Sequence, residues 1–195
     1  MKRQSMSETD QELIARVRAG QREAFAQLIT RYQARIFHTT FCMLKNHEDA
    51  EEAAQDTFVR AYRGLARFRE DATFSTWLYR ICYNVCLNYL EKKRTARPRP
   101  AAVALEHLPA AEAPDHDFAQ RERAALVEQA MADMPDHFRN VLILYHTQQL
   151  PYQEIAEILG LPLNTVKTHL FRARALLRRR LLQILPQEEI LAELL

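Results

Sequence analysis

Residues 151–180, PYQEIAEILGLPLNTVKTHLFRARALLRRR, hold an apolar-periodic stretch, a break at Gly160-Leu161-Pro162, and a second, strongly basic periodic stretch. A helix, a tight turn and another helix make a helix-turn-helix, a unit whose second helix commonly enters the DNA major groove. Gly160 suits the end of the preceding helix, where a left-handed residue is often needed, and Pro162 suits a first helical turn, where its missing N–H is not required. Between Glu157 and Glu188 there is no acidic residue, whereas Lys167, Arg172, Arg174, Arg178, Arg179 and Arg180 all lie in that interval. In a chain with 27 basic and 25 acidic residues, such a separation is informative.

Stepping the second helix at about 100° per residue puts Val166, Leu170, Ala173 and Leu177 on one narrow face. Asn164, Thr168, Phe171, Arg172, Ala175 and Arg179 cluster on the other. That free face has the chemistry of a groove reader: Arg for guanine edges, Thr and Asn for mixed edges, Phe for a thymine methyl. Lys167 and Arg174 flank it, where phosphate contacts are expected. A helical hairpin with a solvated basic side has the same local pattern, so the rest of the chain must decide.

Composition restricts the alternatives. A chain of 195 residues holds one ordinary domain or two small ones. It has only three glycines, and its long runs have helical periodicity, which predicts an all-α protein. No apolar run approaches the roughly 18 residues of a membrane span and no signal-peptide pattern opens the chain, so a cytoplasmic protein without membrane insertion is expected. Cys42, Cys82 and Cys86 lie in apolar runs without zinc-type spacing and read as buried thiols. The seven histidines show no ligand spacing. With no nucleotide-binding glycine loop, nucleophile elbow or paired carboxylates, the sequence predicts no catalytic residue, no metal site, no cofactor and no enzymatic activity.

Residues 95–117, with Pro98, Pro100, Pro109 and Pro114 amid alanines, read as a flexible, semi-extended linker. The expected architecture is two small helical domains, 1–94 and 118–182, followed by an acidic, leucine-rich tail over 183–195. The second domain is a helix-turn-helix, winged-helix-like in class but without an evident wing. In the first domain, Ser7, Thr9 and Asp10 offer caps for a helix that Gly20 ends, and a longer helix follows from about Glu23 to Lys45. A third, from about Glu48 to Arg67, sets Ala54, Phe58, Ala61 and Leu65 opposite an acidic stripe of Asp49, Glu52 and Asp56. First-turn acids favour the helix dipole, but Asp56 lies too far along for that, so the stripe is expected to meet water or a partner. A fourth helix, capped near Thr73 or Ser75, runs to Lys92-Lys93-Arg94 and mixes rings with polar groups: Phe74, Trp77, Tyr79, Arg80, Tyr83, Asn84, Asn88 and Tyr89. Cations beside stacking rings suit unpaired bases, although rings such as Trp77 also suit a core. In the second domain, a helix near Gln120–Met134, a break and cap at Pro135-Asp136, and a core of Phe138, Val141, Leu142 and Tyr145 are expected.

Four segments resemble a known family in order and spacing: DAEEAAQDTFVRAY (49–62), FSTWLYRICYN (74–84), MPDHFRNVLILYH (134–146) and YQEIAEILGLPLNTVKTHLFRAR (152–174). They resemble the extracytoplasmic-function (ECF), RpoE-like sigma factors, the promoter-specificity subunits of bacterial RNA polymerase. The resemblance implies that Asp49, Glu52, Gln55 and Asp56 contact the clamp helices of the largest core subunit, and that the second domain meets the flap. It implies that Arg67, Phe68, Phe74, Trp77, Arg80 and Asn84 capture a flipped base and hold the minus-10 strand. It assigns Asn164, Lys167, Thr168, His169, Phe171, Arg172 and Arg174 to the minus-35 element. An anti-sigma factor is expected as a further partner, since no sensing domain is recognisable. His169 stands where many relatives carry a basic residue, which implies a weaker or pH-sensitive contact; Asn164 and Pro162 vary the turn. A conventional helix-turn-helix regulator explains 151–180 but leaves the acidic stripe and the aromatic helix without purpose. A polymerase-binding module that never touches DNA leaves the basic face unexplained.

Overall fold

The computed structural model describes residues 8–95 and 118–184. Among them every regular element is helical and no strand occurs, so no wing is present in the described residues. The described residues fall into two compact units, one before residue 96 and one after residue 117. The expected linker, apart from Thr95, lies outside the described residues, as does the tail from 185 onward.

The first unit has four helices: α1 (Asp10–Arg18), α2 (Glu23–Leu44), α3 (His47–Gly64) and α4 (Phe74–Thr95). Thr9 caps α1 through a reciprocal capping box with Glu12, which also holds the Glu12 carboxyl below its usual range. Asp10 is therefore a first-turn residue, and its carboxylate accepts from Arg31 and Tyr32 of α2. Helix α2 ends at Lys45, left-handed at φ 54°, and Asn46 then caps α3 by accepting the Asp49 N–H at 2.9 Å. The run expected to be helical as far as Arg67 tightens after Gly64 into a 3₁₀ turn, Leu65–Arg67. Thr73, of the two candidates, caps α4: its hydroxyl accepts the Thr76 N–H at 3.2 Å.

Helices α2, α3 and α4 pack mutually, and α1 lies against α2. Their shared core contains Leu13, Ile14, Leu28, Ile36, Leu65, Leu78 and Val85, each nearly inaccessible. Burying such side chains contributes roughly 1.5–3 kcal/mol apiece before chain entropy is set against it. Cys82 and Cys86 belong to this core, whereas Cys42 is half-buried with its Sγ 3.5 Å from His38 Nε2. The hydrogen bond that the Cys82 thiol donates to Cys86, and burial, both push that thiol up, which keeps it protonated and unreactive.

The second unit contains α5 (Phe118–Ala132), α6 (Asp136–Leu142) running into a π-helical turn (Ile143–Thr147), α7 (Tyr152–Leu159) and α8 (Leu163–Ile184). Pro135 breaks the chain as expected, but Asp136 is no cap: it pairs with Arg139 one turn on. Arg139 is buried, and its Nη1 donates to the Met134 carbonyl at 3.2 Å. Arg180 of α8 donates to the carbonyls of Ala130 at 3.3 Å and Asp133 at 3.0 Å. Two guanidiniums thus satisfy carbonyls at the end of α5 that its own helix leaves open. Of the expected core, Val141 and Leu142 are buried, while Phe138 and Tyr145 are half-buried because their rings meet side chains of α7 and α8. Gly160 adopts the left-handed φ of 64° at the end of α7. Pro162 stands just ahead of α8, its carbonyl accepting from Thr165 and Val166.

Candidate nucleic-acid and partner interfaces

Along α8 the buried face is the expected one: Val166, Leu170 and Ala173 are at most 1% exposed, and Leu177 is half-buried as the helix leaves the core. Asn164, Thr168, Phe171, Arg172, Ala175 and Arg179 are all exposed, and Lys167 joins them. Phe171 is 75% exposed, the largest exposure among the big apolar side chains described. No core explains a ring so placed, whereas a ring between Thr168 and Arg172 on an acid-free helix can pack on base edges. The Thr168 hydroxyl donates to the Asn164 carbonyl at 2.9 Å, leaving its lone pairs outward to accept.

The structure sets two of the sequence-predicted residues apart from that face. Arg174 lies with its guanidinium 4.7 Å from the centre of the Tyr145 ring, and its Nε donates to His146 Nε2 at 3.2 Å. Since a guanidinium cannot accept, Nε2 must be unprotonated, and His146 is neutral in this arrangement. Burial first, and then the Arg174 charge, hold His146 below the usual imidazole range. Hydrogen bonds from Tyr152 and Arg174 draw the Tyr145 phenol down. His169 turns toward α6, its ring 5.1 Å from that of His137 and edge-on to Phe138 at 5.6 Å. Its buried Nδ1 has no partner, and burial, His137 and Arg172 together lower its pKa. Neutral His169 therefore contributes packing at neutral pH, where a permanent cation would contribute charge. His146, Tyr152 and His137 escaped the sequence reading, and Tyr145 was read only as core, because their partners come from other helices.

In the first unit the aromatic group separates into support and surface. Phe68 and Phe74 are only 7% and 4% exposed and pack edge-to-face at 6.1 Å. They form a floor, and Trp77, half-buried, lies on it with centroids 4.9 Å from Phe68 and 5.9 Å from Phe74. Expected as base contacts, the two phenylalanines are buried beneath the Trp77 ring, because the loop folds them inward. Gly64 makes room for the indole: a Cβ there would lie 3.1 Å from the Trp77 ring. Arg67, Arg80 and Asn84 are exposed, the last two one turn apart on α4. This region can therefore offer a ring edge, two cations and an amide to an unpaired strand.

The acidic stripe on α3 meets the end of α4. Lys93 pairs with Asp49, and the Tyr89 hydroxyl donates to Glu52 at 3.3 Å. Asp56 pairs with Arg60 at 2.8 Å on its own helix, and Gln55 is exposed. Burial, and then the Glu52 charge, raise the Tyr89 phenol, so it remains a donor. The stripe expected to await only water or a partner thus has intramolecular partners too, all at the surface, where such pairs are weak enough to exchange. Among the described residues no cluster of His, Cys, Asp or Glu could hold a metal ion, and no helix is long and apolar enough to cross a membrane.

Comparison with known proteins gives this geometry its context. Residues 28–96 match the Sigma-70 region 2 family and residues 124–177 the Sigma-70 region 4 family. The RNA polymerase sigma-H factor of Pseudomonas aeruginosa is 34% identical over 187 residues, covering 91% of this chain and 96% of that protein. The ECF RNA polymerase sigma factor SigW of Bacillus subtilis is 33% identical over 176 residues, covering 86% and 94%. Among solved structures, CnrH in complex with the cytosolic domain of CnrY is 26% identical with a TM-score of 0.65, covering 87% of this chain and 95% of that one. Both units match in order, and the likeness spans nearly the full length of these relatives: the chain belongs to the ECF sigma factors of bacterial RNA polymerase.

Proposed function

We propose that this sigma factor directs core RNA polymerase to its promoters through three separate surfaces. The exposed face of α8 (Asn164, Lys167, Thr168, Phe171 and Arg172) reads the minus-35 element, with Arg174 and His169 setting the pose of that helix. Trp77, with Arg67, Arg80 and Asn84, holds the unpaired minus-10 strand. Asp49, Glu52, Gln55 and Asp56 dock on the clamp helices of the largest core subunit, where basic groups of the polymerase take over from Lys93 and Arg60. The second unit meets the flap.

The observation that carries the reading is the exposed Phe171, at 75%, flanked by Thr168 and Arg172 on a helix without acidic residues. Joining two modest DNA contacts through one polymerase-bound chain raises their combined affinity by effective concentration. An anti-sigma factor competing for these surfaces would keep the protein inactive in the cytoplasm; the similar CnrH was solved in complex with the cytosolic domain of CnrY. The test is transcription in vitro with purified core polymerase on promoters selected from genomic DNA. Promoter-dependent initiation that requires the chain is the expected result, and initiation no greater than with core alone would refute it.

A further inference from the structure

Arg18 ends α1, a helix with no part in the contacts proposed above, and reaches the segment that follows α3. Its Nε donates to the Leu65 carbonyl at 3.4 Å, its Nη1 meets Glu70 Oε1 at 3.0 Å, and its Nη2 donates to the Phe68 carbonyl. One planar group therefore engages both sides of Arg67 and the start of the loop that leads to Trp77. Glu70 has a φ of 60°, in the left-handed region that glycine favours and a glutamate rarely adopts. Residue 70 is exposed, so no burial holds its backbone there. Its carboxylate pairs with Arg18. An exposed pair contributes little through charge alone. A guanidinium that serves two carbonyls and a carboxylate together has one orientation, however, and that orientation selects one loop conformation.

We infer that Arg18 is a positioning residue for promoter opening, a strap that holds residues 65–70 so that Arg67 and Trp77 meet the unpaired minus-10 strand in register. This rests on the assignment of that loop to the minus-10 strand. Arg18 acts without touching DNA, through Leu65, Phe68 and Glu70. Lysine cannot replace it, since an ammonium lacks the planar fork that reaches all three acceptors.

The experiment uses holoenzyme assembled from the full chain and core polymerase, with a single-stranded DNA selected from a random pool on the wild-type complex. Arg18→Ala is expected to weaken binding of that strand about tenfold, the order set by losing hydrogen bonds to a charged group. Core association and binding of minus-35 duplex should remain as in wild type. Arg18→Lys should lose as much, while Arg18→Ala/Glu70→Gly should recover part of the affinity, because glycine takes the left-handed conformation unaided. Strand affinity of Arg18→Ala within twofold of wild type, with Arg67→Ala and Asn84→Ala both impaired, overturns the strap and leaves the minus-10 assignment standing. Full activity of Arg67→Ala and Asn84→Ala overturns that assignment and the strap with it. Parallel loss of core association in Arg18→Ala also overturns the strap, since Arg18 would then hold the whole unit together.

Discussion

Helix α8 and the region from Leu65 to Asn84 both present cations and rings, the surfaces proposed above to meet nucleic acid, yet they are built differently. On α8 one helix carries every proposed contact, and its buried Val166, Leu170 and Ala173 fix the opposite face as a consequence of helical period. The other region is assembled from a 3₁₀ turn, an exposed loop and the start of α4, with Phe68 and Phe74 beneath and Arg18 tethering the side. A duplex groove suits a preformed helix, whereas a strand that must be opened and captured suits a loop whose shape is held by removable contacts. The difference suggests that the first surface is robust to single polar changes away from its face, and the second is sensitive to residues that never touch DNA.

The most severe way to break this comparison is Leu170→Ala, which removes a side chain 1% exposed beneath the α8 face. A loss of about 2–5 kcal/mol is expected, seen as a lower melting temperature and lost minus-35 binding while single-strand binding survives. If both activities fell together, the two surfaces would not be independent. Arg172→Ala tests the face itself: a cost of about 1–3 kcal/mol in minus-35 duplex affinity, by fluorescence anisotropy, with core association retained. Asp56→Arg reverses one charge of the stripe and should weaken core association by about 1 kcal/mol; an unchanged holoenzyme yield in gel filtration would argue against that docking surface.

The smallest expected effect concerns pH and sharpens the part of the comparison that concerns rigidity. His146 and His169 both have folded pKa values below the ordinary imidazole value of 6.5. The unfolded chain then binds more protons than the folded one as pH falls from 6.5 through the lowered values, so stability declines across that window and is fully present above it. The melting temperature of the second unit should drop modestly as the pH falls from neutral through 6.5 and below. His146→Gln, which keeps an acceptor for Arg174 but cannot titrate, should flatten part of that slope; an unchanged slope would remove His146 from the account.

Much of this was legible in the chain. The helix limits around Glu23–Leu44 and Phe74–Thr95, the Gly160 turn and the two faces of α8 all follow from local period and capping chemistry, which act within a few residues. The inward placement of Phe68 and Phe74, and the capture of Arg174 by Tyr145 and His146, were not legible, because an aromatic ring has the same sequence signature in a core and on a base-stacking surface. Nor could spacing show that Lys93 and Tyr89 would meet the acidic stripe, since those contacts join residues 44 and 37 positions apart.

By itself, the sequence determined that this protein is helical, that it has two units, and that one basic helix faces outward: periodicity, caps and charge separation are local properties that survive any packing. Only the tertiary structure decided which rings support and which are presented, which arginines are engaged internally, and that Arg18 meets Glu70, 52 residues further along the chain. The reason is physical. Burial and hydrogen-bond partners belong to pairs of residues brought together by folding, and no residue carries them alone.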